Sequence, residues 1–457
     1  MSILSMTVRL VAVDVPFSES RHQRAGANPR LAIQVLSYAA LALWVVWWLG
    51  NLAKFQFQFA DVSWLPAWRF LGFDYLHNHL GSQAWMRGVN PYLHSFGDER
   101  GLYGYPPIVL PLFSWVALVP DFKVAARLWA LFIASGCGFC VWHIWRLRRA
   151  EGWSELPIVV MLALVLWSAP VAFAMERGNC DVLVLVAVLF AALALKLPPR
   201  WWVDSMAAFL LALAVTIKIY PLVVVLGLVA LRRYRVLLLL VPCIAFLLLP
   251  FGESLKAWLT VAQTIQGHRI NPVSELFQWW TGDAMSLLPN AFGNYFQSRM
   301  FWGSMHSPGN WWPALWLRFG LESIAAWPVL AVQIATLAPV TLWGCWQIYR
   351  VPNSARLALP ILLWIMALAT FWMPQSYDYN LIYLPLLMVA VWDQREPPWV
   401  KLLLLLSLPW WIPFGPTGYD WALARVLLKL LALYVGTLVM IRGLARPALP
   451  TKGSTRL

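Results

Sequence analysis

The chain is 457 residues long, 61% hydrophobic and only 12% charged, with a mean hydropathy of +0.66. Soluble domains carry about 25% charged residues, so this composition excludes a soluble globular protein and specifies an all-α polytopic membrane protein. The formal net charge of +14 reads as the Lys and Arg excess of cytoplasmic loops, not as a nucleic-acid footprint.

Residues 1–30 form the first predicted unit. They hold no apolar core followed by a small-residue cleavage site. With Arg9, Arg21, Arg24 and Arg30 ahead of the first apolar run, they read as a cytoplasmic arm. Residues 31–250 read as the main membrane module, with a first outer loop at 51–123. Residues 251–322 read as a second outer region and 323–457 as C-terminal transmembrane helices.

The first span is expected over Leu31–Leu49. The polar segment FDYLHNHLGSQAWMRGVNPY (Phe73–Tyr92) follows, patterned as a helix and then a turn. Next comes YPPIVLPLFSWVALVP (Tyr105–Pro120), apolar but short and holding four prolines. If it crossed the membrane, the RLRR run at Arg146–Arg149 would fall outside, against the positive-inside rule. A juxtamembrane or re-entrant helix is therefore expected there. Further spans are expected at Val124–Trp145, Leu156–Phe173, Val182–Lys196 and Val236–Pro250. Between the last two, the chain is too short for two full crossings, so two short helices broken at Lys218–Pro221 are expected. The remaining spans are Ser323–Ile348, Leu357–Trp372, Leu381–Trp392, Leu402–Trp411 and Trp421–Ile441, ending with a cytoplasmic C-terminus. Cys137 and Cys140 form a C-x-x-C inside an apolar run and read as small packing residues, not metal ligands.

Ionisable residues near membrane depth are costly and mark function. Four sets stand out. Asp74 sits with His77 and His79 just after the first span; it is either a proton acceptor or a solvated acid at a helix start. ERGNCD (Glu176–Asp181) gathers two acids, an Arg and an Asn between two apolar runs, and Arg177 suits phosphate recognition. Lys218 lies among apolar residues in the broken helix, where it either meets an anion or snorkels. GHRIN and QSYDYN bring His268, Arg269, Tyr377, Asp378 and Tyr379, which line a polar pocket or form two solvated loops. No Walker-type loop, dinucleotide fingerprint, metalloprotease His-Glu pair or outer-loop D-x-D pair occurs. The expectation is no metal and no cofactor, with a lipid-linked activated substrate supplying the energy.

The order Asp74, Ala84, Gly88, Pro91-Tyr92, then YPP (Tyr105–Pro107), then Glu176-Arg177-Gly178-Asn179, then Lys218 with Pro221 three residues on, resembles glycosyltransferase family 87. QSYDYNLIYLPLL (Gln375–Leu387) is also similar to that family. These are polyprenol-phosphate-mannose-dependent α-mannosyltransferases of the GT-C fold. The resemblance implies about 10–12 transmembrane helices, with interfacial helices in the first outer loop. It implies inverting hexose transfer, of mannose in that family's manner, at the outer face of the cytoplasmic membrane. The donor is a polyprenyl-phosphate sugar and the acceptor a lipid or glycan. Asp74 takes the place of the general base. Glu176, Arg177, Asn179, Lys218, His268, Arg269, Tyr377 and Asp378 are the substrate-binding candidates. Two positions depart from the family's pattern. Asn78 stands where an aromatic is frequent, and Glu176-Arg177 replaces Gly-Gln. A lipid-linked sugar flippase or transporter is the alternative class; it would carry internal symmetry, which the sequence lacks.

Overall fold

A computed structural model describes residues 29–54, 72–93, 103–150, 156–265, 326–352, 354–372, 378–393, 396–407 and 419–445. Every regular element among them is helical. The all-α polytopic fold follows from composition, because backbone in a bilayer must close its own hydrogen bonds.

The first long helix, α1 (Pro29–Lys54), presents Leu36 and Val46 outward and buries Trp44, Trp48 and Leu52. Two short helices follow, α2 (Phe73–Met86) and α3 (Val109–Ala117). The latter is the proline-rich segment, which forms only nine helical residues and does not span. The two are clamped together: Ser82 Oγ donates to the Leu110 carbonyl at 2.9 Å, and Tyr103 lies so close to Gly81 that a Cβ there would meet its ring at 2.7 Å.

The long helix α4 (Phe122–Ala150) has 29 residues and buries one face along its length. After it, the expected single span is a bent pair, α5 (Ile158–Leu166) and α6 (Ala169–Arg177), angled by 57°. Pro170 lies in the first turn of α6, where its missing N–H costs nothing. This second helix carries the chain beyond the predicted end at Phe173. Glu176 and Arg177 therefore belong to a helix end, and the turn shrinks to Gly178–Cys180. Then come α7 (Asp181–Lys196) and α8 (Trp201–Ile217). The chain breaks at Lys218, whose backbone is extended, and resumes as a 3₁₀ turn, Tyr220–Val223, leading into α9 (Val224–Ala230). This is the expected broken helix.

α10 (Tyr234–Leu248) exposes Leu238 and Val241, a lipid-facing surface, and passes through a 3₁₀ turn into α11 (Gly252–Ile265). The C-terminal part contains α12 (Ala326–Arg350), α13 (Ala358–Trp372), α14 (Tyr383–Val391), α15 (Pro398–Ser407) and α16 (Tyr419–Ala445). α13 is enclosed on all sides, with every residue but Trp372 buried. It can be so because Gly344 of α12 and Gly227 of α9 let its Trp364 and Ile365 approach to contact. Among the described residues, five helical segments are long and apolar enough to cross a bilayer, and six when the bent pair counts as one span. Shorter apolar helices, 201–217, 220–230 and 380–391, complete the bundle.

Candidate active site

The site forms where α2 docks on the end of α6. Two glycines make that docking possible. Gly72, with φ of +84°, precedes α2 and donates its N–H to the Glu176 carbonyl at 2.6 Å. Gly178, with φ of +67°, ends α6; a Cβ there would lie 2.5 Å from the Tyr75 Cβ. The left-handed conformation and the missing side chain are both required. Trp129 of α4 seats the turn by donating to the Gly178 carbonyl at 3.0 Å, and Tyr75 stacks on Trp129.

This crossing brings Asp74, in the first turn of α2, onto the ERGN turn. Arg177 Nη2 meets Asp74 Oδ1 at 2.5 Å, and Asn179 Nδ2 donates to Oδ2 at 3.4 Å. The helix N-terminus adds favourable dipole charge for an acid placed there. Asp74 is 8% exposed, so it is not the solvated loop acid that the sequence left open. A carboxylate offers about four lone-pair sites; two protein donors leave room for another proton.

From Asn179 the network continues. Lys218 Nζ donates to Asn179 Oδ1 at 2.9 Å, to Asp181 Oδ2 at 3.1 Å and to Asn380 Oδ1 at 3.3 Å. Lys218 thus has an anionic partner and does not snorkel. Asp181 is wholly buried, and its Oδ1 accepts from the Tyr220 hydroxyl at 2.5 Å. The Tyr220 and Tyr383 hydroxyls lie 2.8 Å apart. Glu176 is also buried beside this network, and its Oε2 has no hydrogen-bond partner.

Of the predicted site residues, the structure brings Asp74, Glu176, Arg177, Asn179 and Lys218 together. Asp378 opens a 3₁₀ helix, Asp378–Ile382, whose Asn380 reaches Lys218. His268, Arg269 and Tyr377 lie outside the described residues. Sequence reasoning passed over Asp181 as a separate partner for Lys218, and over Tyr220, Asn380 and Tyr383. The available signal was the acid that closes ERGNCD and the Tyr two residues after Lys218. His79 bonds away from the acid. His79 is buried between Tyr75 and Gln83, at 3.2 and 3.1 Å, and burial lowers its pKa below the usual histidine value. Burial likewise raises the Tyr75 hydroxyl above the usual tyrosine value. Among the described residues, no group of three His, Cys, Asp or Glu side chains gathers as metal ligands do.

An all-helical membrane bundle with a buried, charge-balanced network at one end is the setting of a membrane-embedded transferase. Residues 103–374 match the model of glycosyltransferase family 87, and the chain belongs to that family. Asp74 precedes the matched segment and is joined to it by Arg177 and Asn179. Two curated relatives are polyprenol-phosphate-mannose-dependent alpha-(1-2)-phosphatidylinositol pentamannoside mannosyltransferases. The one from Mycobacterium tuberculosis (strain CDC 1551 / Oshkosh) is 22% identical over 338 residues, 71% of this chain and 68% of the relative. The one from Mycolicibacterium smegmatis (strain ATCC 700084 / mc(2)155) is 26% identical over 250 residues, 50% of this chain and 57% of the relative. The protein is a multi-pass membrane glycosyltransferase.

Proposed function

We propose that the protein transfers mannose from a polyprenyl-phosphate donor to a lipid or glycan acceptor, with inversion, and that Asp74 is the general base. The observation that carries this reading is the meeting of Asp74 with Arg177 and Asn179. Residues more than 100 positions apart are held together at the end of a family 87 bundle. The activities of the two relatives support the choice of donor.

In this mechanism Asp74 takes the proton of an acceptor hydroxyl through a lone pair that Arg177 and Asn179 leave open. The acceptor oxygen bonds to the anomeric carbon as the bond from that carbon to the phosphate oxygen breaks. The electron pair leaves with the phosphate, so a phosphodiester becomes a phosphomonoester and gains negative charge. Positive groups near the departing oxygen stabilise that charge. Arg177, His268 and Arg269 are the groups proposed to contact the phosphate, Lys218 adds its charge from within the Asn179–Asp181 network, and Glu176, Tyr377 and Asp378 are the proposed hydroxyl-binding residues. The site faces the outer side of the cytoplasmic membrane, with both termini cytoplasmic, by the distribution of Lys and Arg.

The test is mannose transfer by purified protein in detergent, with polyprenyl-phosphate mannose and a lipid extract of the host membrane. Wild type is expected to transfer and Asp74→Asn to lose about 10²–10⁴-fold with its melting temperature kept. Turnover at the wild-type rate in Asp74→Asn would sink the assignment of the base. Donor binding without transfer in any extract would remove the acceptor class.

A further inference from the structure

We infer that Lys218 is a positioning residue for Asp74, acting through the Asn179 amide, and is not the ligand of the donor phosphate. This rests on the reading of Asp74 as the base. The argument begins with valence. An ammonium has three N–H donors, and the three of Lys218 meet the oxygens of Asn179, Asp181 and Asn380 at 2.9, 3.1 and 3.3 Å. A phosphate would have to displace a protein acceptor to be bound.

The acceptor that matters is Asn179. Its Oδ1 takes the Lys218 ammonium and also the main-chain N–H of Asp181, at 3.0 Å. Both partners are donors only, so the amide cannot flip; the oxygen must face them. Its nitrogen is thereby turned toward Asp74 Oδ2. Lys218 is fixed in turn by Asp181, which is held by Tyr220. A hydroxyl has one hydrogen, and that of Tyr220 is spent on the Asp181 carboxylate. Tyr383 then has two acceptors for its one hydrogen, the Tyr220 oxygen at 2.8 Å and the Asp181 main-chain carbonyl at 3.4 Å, and both tie it to this pair. In the chain Tyr383–Tyr220–Asp181–Lys218–Asn179, Tyr220 and Lys218 both donate to the Asp181 carboxylate, and from Lys218 the bonds run on through Asn179 to the base. The anchor of this chain, Tyr383, belongs to α14, so the C-terminal helices set the geometry of an acid near the N-terminus.

The experiment titrates polyprenyl phosphate, the proposed product, into wild type, Lys218→Met, Asn179→Ala and the double variant, beside transfer kinetics. Affinity is expected to stay within about twofold while kcat falls about 100-fold, the cost of a base misplaced by about 1 Å. The double variant is expected to be no worse than Asn179→Ala alone, because the two residues act in series. A loss of about tenfold or more in polyprenyl phosphate affinity in Lys218→Met, with kcat kept, overturns the inference and makes Lys218 the phosphate ligand. Lys218→Met strands a buried carboxylate and is prone to misfold. Tyr220→Phe keeps the Lys218–Asp181 pair and is read by the same split, with kcat down about fivefold and affinity unchanged. If wild type neither binds polyprenyl phosphate nor transfers mannose, the donor reading fails on its own. The inference is then decided by carbodiimide labelling of Asp74, read by mass spectrometry. Labelling is expected to rise several-fold in Tyr220→Phe and Lys218→Met, and labelling equal to wild type overturns the inference.

Discussion

The two ends of the bundle use charge in opposite ways. α4 links them: Trp129 sits at the site, and Arg148 lies 19 residues further on, about 28 Å away by helical rise. At the site, charged groups bond to other side chains, as in Arg177–Asp74 and Lys218–Asp181. At the far end, arginines bond mainly to main-chain carbonyls where helices finish. Arg148 donates to the Val389 and Ala390 carbonyls at the end of α14, Arg233 to the Leu195 and Leu197 carbonyls at the end of α7, and Arg356 to the Leu444 carbonyl at the end of α16. Capping of this kind satisfies groups every helix leaves open and favours positive charge there. A side-chain network serves no such general need. Buried arginine is architecture at one end and, in our reading, chemistry at the other.

The largest effect that separates the two ends is on turnover. Arg177→Gln is expected to lower kcat about 10²–10³-fold, near 3–4 kcal/mol of transition-state stabilisation, in the transfer assay. Arg148→Met is expected to leave kcat per folded molecule unchanged; a comparable loss there would erase the distinction. Next in size is Gly178→Ala. It forces a left-handed alanine and a Cβ against Tyr75, at a cost of about 2–3 kcal/mol, visible as a lower melting temperature and lower activity together. Arg148→Met itself is expected to cost about 1–2 kcal/mol of stability, since the end of α14 loses its donors. The smallest effect is a pH dependence. His79 is held below its unfolded pKa by burial, so the unfolded chain binds more protons as pH falls through about 6.5. Stability is therefore full above that value and declines toward pH 5. In His79→Gln this decline in melting temperature is expected to shrink.

Much of the fold was legible because membrane depth imposes a length on each helix. The short proline-rich helix and the break at Lys218 both followed from counting residues against the bilayer and placing positive charge on one side. The end of α6 was misplaced by a few residues, since Pro170 starts a new helix where apolarity alone suggests a continuous one. The acid, the ERGN turn and Lys218 each stood out singly as charges where charge is costly. Their connection did not. Asp74 and Arg177 are 103 residues apart, and Lys218 and Asn380 are 162 apart; no spacing rule reaches that far. Tyr220 and Tyr383 were hidden for another reason. Tyrosine is ordinary in a membrane protein, and only the bond of the Tyr220 hydroxyl to a buried carboxylate, with the Tyr383 hydroxyl against it, sets them apart.

The brevity of α14 has a consequence for how the protein is made. Its nine residues rise about 14 Å, less than half of the roughly 30 Å hydrocarbon core. The 3₁₀ helix Asp378–Ile382 leads straight into α14, and the backbone groups at its C-terminal end are costly to leave unsatisfied in a bilayer. One end is completed by Arg148 and the other is joined to Tyr220 through Tyr383. Both partners are translated well before α14 emerges. A nascent chain that has already settled α4 and the broken helix offers this segment a ready berth, whereas α14 presented alone to the insertion machinery has no stable place in the bilayer.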